Sequence, residues 1–134
     1  MNDDSGNVIA EFIGVVVGLM IPVIFIATSC WNFVETELAL RTATESMARA
    51  YVVSANQQIA QQRSRSVLRI VLRDHNILTS QVTTKVTCEN SPCLTAGSAI
   101  TVTVTRKATI AFPGFGSRTL NQSQSHTAIV DEIR

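Results

Sequence analysis

The sequence predicts an α+β protein with a long N-terminal transmembrane helix extended into an amphipathic helix, a second helix, and a small antiparallel β-sheet. An uncharged run of 23 residues separates Glu11 from Glu35. Apolar residues then recur at helical spacing as far as about Asp74, and at every second position from Ser80 onward. With 134 residues, of which 46% are hydrophobic and 16% charged, the chain has room for about one domain.

The uncharged run is the first element. Of its 23 residues 17 are apolar, and as a helix it would reach roughly 34 Å, against a hydrocarbon core of about 30 Å. A removable signal peptide would have a basic start and a shorter apolar region, whereas residues 1–6 carry Asp3 and Asp4 and no Lys or Arg. The run is therefore expected to anchor the chain, with Pro22 kinking the helix.

Cys30 leaves two interpretations. The sequence Ala27-Thr28-Ser29-Cys30 loosely resembles the lipidation site of a lipoprotein, but Ala27 replaces a larger aliphatic residue and no basic segment precedes it. The favoured interpretation is that Cys30 is a small apolar residue at the membrane edge.

Glu11 is the most informative residue of the N-terminal region. A carboxylate just inside a membrane helix costs a few kcal/mol, so it should have a partner or a function. Alternatively, Glu11 marks the aqueous boundary and the span starts at Phe12. Position alone does not separate these interpretations.

The surrounding sequence, Ser5-Gly6-Asn7-Val8-Ile9-Ala10-Glu11-Phe12, resembles the processing site of type IV pilin-like proteins. In that superfamily a prepilin peptidase cuts after a glycine, and a glutamate lies five residues beyond the cut, which is the spacing of Gly6 and Glu11. The first fifty residues are similar to the TadE-like branch, the minor pilins or pseudopilins of tight-adherence (Flp) pili. The further similar segments are the early Pro22, Glu37-Leu38-Ala39-Leu40-Arg41 and Ala48-Arg49-Ala50.

This resemblance implies a structural subunit rather than an enzyme. Residues 1–6 would be a cytoplasmic leader, 7–34 the transmembrane helix, 35–76 an extracytoplasmic helical region and 77–134 a small β-sheet domain, together the ladle shape of the pilins. Its partners would be other pilin subunits, the prepilin peptidase and an inner-membrane assembly platform, with no cofactor. Cleavage would place the new amino group of Asn7 in the same membrane layer as Glu11 of an adjacent subunit. Pairing of the two charges would let Glu11 set the register between neighbouring subunits.

Beyond the membrane nothing obliges the helix to stop, because no glycine occurs between Gly18 and Gly97 and no proline between Pro22 and Pro92. An apolar stripe continues it, favoured as core packing over a partner surface: Leu40, Ala43, Met47, Ala50 and Tyr51. A capping box with Ser54 as N-cap and Gln57 at the third helical position predicts a second helix to about Asp74. Its apolar side would comprise Ile59, Val67, Ile70 and Val71.

Arg65, Arg69 and Arg73 recur every fourth residue on that second helix, with Arg63 nearby. Such a row could bind an acidic partner or anionic head groups, but a solvated helix face is the favoured interpretation.

Alternation at every second residue predicts three or four mainly antiparallel strands. Val82, Thr84, Val86 and Cys88 alternate with polar residues, as do Ile100, Val102 and Val104. Ile110 and Phe112 continue a strand that Pro113-Gly114 ends, and Thr127–Val130 supplies a last one.

Cys88 and Cys93 enclose the turn-prone Glu89-Asn90-Ser91-Pro92 between two strands. A disulfide is favoured over half a zinc site, because two further ligands are missing and the two histidines, His75 and His126, have no metal-binding spacing. A disulfide places the C-terminal domain outside the cytoplasm. The acidic leader, with Arg41 and Arg49 beyond the span, favours the opposite orientation by the positive-inside rule, and the cysteines are given more weight.

No catalytic motif is present: the chain has no nucleophile elbow, phosphate-binding loop or zinc-protease signature. The net charge of +1, without a basic patch interleaved with aromatics, gives no case for nucleic acid. Neither does any pattern indicate a small-molecule substrate. The alternative function is an uncleaved, signal-anchored extracytoplasmic binding or adaptor module.

Overall fold

The computed structural model of the chain describes residues 5–112 and 116–131. Helix α1 spans Ser5–Val52 and helix α2 spans Gln57–Asp74. A single 3-10 turn, Thr79–Gln81, precedes three strands, which are β1 (Val82–Cys88), β2 (Ala99–Phe112) and β3 (Gly116–Ile129). The predicted α+β class is confirmed. The chain divides into two compact units, Met1–Val34 and Glu35–Arg134, called here unit 1 and unit 2.

Unit 1 consists of the apolar part of α1. The helix passes through Pro22 without interruption, and its side chains from Val8 to Val34 are exposed except for the half-buried Phe25 and Ser29. The hydroxyls of Thr28 and Ser29 donate hydrogen bonds to backbone carbonyls of the preceding turn, so both donors are paired. The helix is long and apolar enough to cross a membrane, which fits a single-pass membrane protein.

Unit 2 is built around the remainder of α1, which packs with α2 against the sheet. The predicted stripe of α1 is buried at Leu40, Ala43, Met47 and Tyr51, and half-buried at Ala50. One cluster joins α1, α2 and β2, and it contains Ala39, Leu40, Ala43, Met47, Ala48, Leu68, Leu72, Ile77, Val102 and Val104. A second cluster joins Tyr51, Ala60, Ile100 and Val130. The interpretation of the stripe as core packing is confirmed.

Helix α2 begins two residues later than its capping box predicts. The N-cap is Asn56, whose side-chain oxygen accepts a hydrogen bond from the Ile59 N–H at 2.9 Å. Ser54 lies before the helix, is buried, and donates its hydroxyl to the Ala50 carbonyl at 2.7 Å. The prediction of Ser54 as N-cap is therefore wrong. Asn and Ser serve equally well as caps, so the composition of this segment did not separate them.

The buried face of α2 also differs from the prediction. Ala60, Ser64, Leu68 and Leu72, spaced four residues apart, are buried, whereas Ile70 is 60% exposed and Ile59, Val67 and Val71 are half-buried. Ser64 is tolerated in the core because its hydroxyl donates to the Met47 carbonyl at 2.9 Å. The small side chains of Ala60 and Ser64 let α2 approach α1 closely. This close packing stabilises the fold more than burial of the larger apolar side chains on the neighbouring face would.

The sheet is antiparallel with strand order β1-β2-β3. Ile100, Val102 and Val104 of β2 are buried on its inner face. On its outer face, hydroxyls of β2 and β3 share hydrogen bonds in pairs: Thr101 with Thr127, Thr105 with Ser123, and Thr109 with Thr119. The alternation of β-branched apolar residues with threonine thus separates core from surface.

Strand β3 is longer than predicted. The predicted segment Thr127–Val130 is only its end, because pairing with β2 extends in register from Phe112–Gly116 to Ala99–Ile129. The inner positions of β3 include the buried Gln122 and the half-buried Gln124 and His126, so no apolar alternation marked the strand. Pro113 and Gly114, predicted to end the preceding strand, lie outside the described residues.

The predicted disulfide joins Cys88 at the end of β1 to Cys93, with a Cα–Cα distance of 5.1 Å. It closes the connection between β1 and β2, and Cys93 packs against the cluster around Tyr51. Cys30 is free and exposed.

Replacing Cys88 and Cys93 together by serine is expected to destabilise unit 2 by roughly 2 kcal/mol, because the open loop regains conformational freedom when the chain unfolds. Protease resistance of unit 2 as a function of urea, in the full chain, measures this loss. Cys30→Ser is the matched control and should leave the urea midpoint unchanged. Equal midpoints for all three proteins would contradict a stabilising disulfide.

Candidate functional site

The predicted processing site lies at the beginning of α1. The backbone of Gly6 and Asn7 is helical, and the side-chain surroundings of residues 5–7 lie outside the described structure. Glu11 follows within the same helix, four residues after Asn7, so it lies about one turn, or 6 Å, further along the axis.

The Glu11 carboxylate is exposed on an apolar helix surface. Its neighbours Val8, Ile9, Phe12 and Ile13 are each more than half exposed. Within residues 5–112 and 116–131, no basic side chain lies within ion-pair distance of this carboxylate. At the centre of a membrane helix a charged side chain costs about 3 kcal/mol on insertion scales unless a cation offsets it, and that figure is an upper value for Glu11, near the start of the helix.

Two glycines share the face of α1 that carries Glu11. Gly14 and Gly18 lie three and seven residues beyond it, and a Cβ added to either would meet no atom within 4 Å. Pro22, a further turn along, has no N–H, so the Gly18 carbonyl lacks its usual helical donor. We call these four residues the Glu11 face. Small residues at this spacing allow another helix to approach closely. The G-x-x-x-G signal was visible in the sequence but was missed.

A polar cluster connects β2 and β3 to the part of α1 just after Glu35, where unit 2 begins. Arg106 donates from Nη1 to the Thr36 hydroxyl at 2.8 Å and from Nη2 to Oε1 of Gln81 at 3.3 Å. Its buried Nε has no hydrogen-bond partner among the described residues. Gln124 donates to the carboxylate of Glu37. Sequence reasoning missed this cluster because its members lie 70 and 87 positions apart.

The row of arginines on α2 is exposed, as the favoured interpretation of a solvated face requires. Arg63, Arg65, Arg69 and Arg73 form no salt bridge with any carboxylate of the described residues. Two open hollows border the row: one of about 400 Å³ beside Arg65, and one of about 530 Å³ beside Arg73, with Arg69 bordering both. The hollow beside Arg65 is lined by residues of α2 alone, whereas the hollow beside Arg73 also depends on the segment that follows α2, which no periodicity in the sequence indicates.

No group of three or more potential metal ligands occurs among the described residues. His75 Nδ1 lies 4.0 Å from the Glu35 carboxylate, and His126 is a half-buried residue of β3 paired with Val102. The two histidines therefore lie in separate parts of the chain, and neither belongs to a group of three potential ligands within the described residues.

Comparison with protein-family models, with curated proteins and with solved structures finds no match for this chain. The candidate functional features are therefore Glu11, which lies on an apolar helix without a basic partner among residues 5–112 and 116–131, and the small disulfide-bonded unit that follows that helix.

Proposed function

We propose that the chain is a TadE-like minor pilin or pseudopilin, a structural subunit for the assembly of a tight-adherence, type IV-like pilus. A prepilin peptidase would hydrolyse the bond between Gly6 and Asn7. The mature subunit would be held in the inner membrane by α1, with unit 2 outside the cytoplasm. Its partners would be other pilin subunits and the inner-membrane assembly platform.

The observation that carries this proposal is Glu11. It lies five residues after Gly6, near the start of a helix that fits a membrane span, and has no cationic partner among the described residues. Burial of an unpaired carboxylate in hydrocarbon is unfavourable, so a protein that retains one is expected to use it.

Processing would create the missing cation. Hydrolysis of the Gly6–Asn7 bond consumes one water and leaves a carboxylate on Gly6 and an amino group, protonated at neutral pH, on Asn7. Pairing this ammonium with Glu11 of an adjacent subunit offsets the cost of immersing both charges. Because the pair forms only at one stagger of neighbouring helices, Glu11 selects the register of assembly.

The Glu11 face supports a helix–helix contact at that register. Gly14 and Gly18 leave open space beside the helix, and a neighbouring side chain could donate to the Gly18 carbonyl that Pro22 leaves unpaired. The disulfide supports a location of unit 2 outside the cytoplasm, since structural disulfides persist in oxidising compartments.

The second candidate is an uncleaved, signal-anchored binding or adaptor module. The acidic, Lys- and Arg-free residues 1–6 favour it, because basic leaders help to retain an N-terminus in the cytoplasm. In that case Glu11 would mark only the aqueous boundary of the span.

The intact mass of the protein purified from membranes distinguishes the two. The pilin proposal expects loss of Met1–Gly6, and expects a Gly6→Val variant to retain them. Asn2→Val, in the same leader but away from the cut, is the control and should be processed normally. A wild-type protein that keeps Met1–Gly6 in cells with an active prepilin peptidase would refute the proposal and favour the adaptor.

A further inference from the structure

The hollow at the C-terminal end of α2, called here the C-terminal hollow, combines cationic and apolar walls. Its volume is about 530 Å³, and its lining includes Arg69, Arg73 and the exposed Leu78. The buried Leu72 and Ile77 contribute to the lining. An occupant of this hollow would meet two guanidinium groups and hydrocarbon at the same time.

The wall of the hollow is fixed by the way α2 ends. Asn76 has a φ of 54°, the left-handed conformation that Asn tolerates at helix ends. The Asn76 N–H donates to the Arg73 carbonyl at 3.1 Å, and the Ile77 N–H donates to the Leu72 carbonyl at 2.8 Å. Because the helix ends in this way, Ile77 packs against the core, and Leu78 is 64% exposed beside the arginines.

The two guanidinium groups are free to bind an anion. Both arginines are exposed, and neither forms a salt bridge with any carboxylate of residues 5–112 and 116–131. With Arg65, they place three like charges at successive turns of one helix, an arrangement that is unfavourable without an anion. Two adjacent guanidiniums suit a phosphate, whose oxygens accept paired N–H donors.

The position of the hollow in the chain indicates where that phosphate comes from. His75, two residues after Arg73, lies 4.0 Å from Glu35. Glu35 is the first charged residue after the apolar run, and it is the residue at which the chain passes from unit 1 into unit 2. The hollow is therefore at the end of unit 2 that continues directly into the apolar run. If residues up to Val34 occupy the membrane, the nearest phosphates are those of the lipid head groups.

We infer that the C-terminal hollow binds an anionic phospholipid of the membrane that anchors the chain. Arg69 and Arg73 hold the phosphate, while the exposed Leu78 contacts the hydrocarbon next to the head group. The inference rests on the membrane-anchored part of the proposed function, and it does not depend on pilus assembly. It takes up the alternative left open for this row, the binding of anionic head groups, in place of a solvated face.

Native mass spectrometry of the full chain in nonionic detergent micelles tests the site. Titration with phosphatidylglycerol, and separately with phosphatidylcholine, should show preferential retention of the anionic lipid. The double variant Arg69→Gln/Arg73→Gln should bind phosphatidylglycerol roughly 25-fold more weakly, about fivefold for each arginine. The matched control, Arg63→Gln/Arg65→Gln, removes the same charge from α2 outside the hollow and should stay within roughly fivefold of wild type.

Soluble probes separate a lipid from a free anion. Inorganic phosphate and glycerophosphoglycerol should bind more weakly than phosphatidylglycerol, and Leu78→Ser should weaken lipid binding without changing phosphate binding. Equal losses in the two double variants, equal affinity for the two lipids, or phosphate binding as tight as lipid binding would each overturn the inference. The same spectra report whether Met1–Gly6 has been removed. A chain purified from cells with an active prepilin peptidase that is unprocessed, yet keeps the lipid selectivity, would refute the pilin proposal alone.

Discussion

Glu11→Ala is expected to leave the protein in the membrane and to abolish its co-assembly with other pilin subunits. Removal of the carboxylate lowers the cost of insertion, by at most about 3 kcal/mol, so the amount in the membrane should not fall. In the assembled state, however, the ammonium of Asn7 would lose its partner. An uncompensated buried charge costs about 3–5 kcal/mol, which corresponds to a loss of incorporation of at least 100-fold.

Immunoblots of the membrane fraction and of sheared surface fibres, in cells that carry the pilus machinery, measure the two quantities separately. Glu45→Ala is the matched control, because Glu45 is also a glutamate of α1 but belongs to an exposed pair with Arg49 in unit 2. Glu11→Asp keeps the charge and should restore part of the incorporation. Wild-type incorporation of Glu11→Ala would remove the register role of this residue.

Leu72→Ala is expected to have the largest effect on stability, about 2–5 kcal/mol. Leu72 is fully buried where α2 packs on α1 and β2, so the substitution loses buried apolar surface and leaves a cavity. A domain of about a hundred residues with a small core has a total stability of about 5–10 kcal/mol. The variant should therefore approach the threshold of unfolding.

Ile70→Ala is the control for this experiment. Ile70 lies two residues away on the same helix and is 60% exposed, so its truncation should change stability by less than about 0.5 kcal/mol. Urea-dependent proteolysis of unit 2 in the full chain compares the two variants with wild type. A larger loss for Ile70→Ala than for Leu72→Ala would mean that α2 packs through the face predicted from its larger apolar residues.

The same pair of residues shows why sequence reasoning mistook the buried face of α2. The helix carries apolar residues on two overlapping faces, and the one with Ile59, Val67, Ile70 and Val71 is the more hydrophobic. The fold buries the other face because Ala60 and Ser64 are small enough for close approach to α1. Close approach depends on the shape of the partner helix, which no periodicity in α2 contains.

The N-terminal candidate site was largely readable from the sequence. The spacing of Gly6, Asn7 and Glu11, the position of Pro22 and the apolar run are all local features, and the structure adds the open space beside Gly14 and Gly18. The C-terminal hollow could not be predicted from the sequence. It requires the chain to turn at Asn76, in the left-handed conformation, just after α2 ends at Asp74, and Leu78 to lie beside Arg73; neither follows from residue types alone.

By itself the sequence determined the long apolar helix, its extension into an amphipathic helix, a second helix to Asp74, alternating strands and the Cys88–Cys93 disulfide. Each of these follows from a pattern within a few neighbouring residues. Only the tertiary structure decided the full length of β3, whose buried Gln122 and half-buried Gln124 carry no apolar signal. It also decided the partners of Arg106 and Gln124, which lie on α1 and beside β1. Polar groups can be buried only where distant parts of the chain supply their hydrogen bonds, and those partners exist only once the chain has folded.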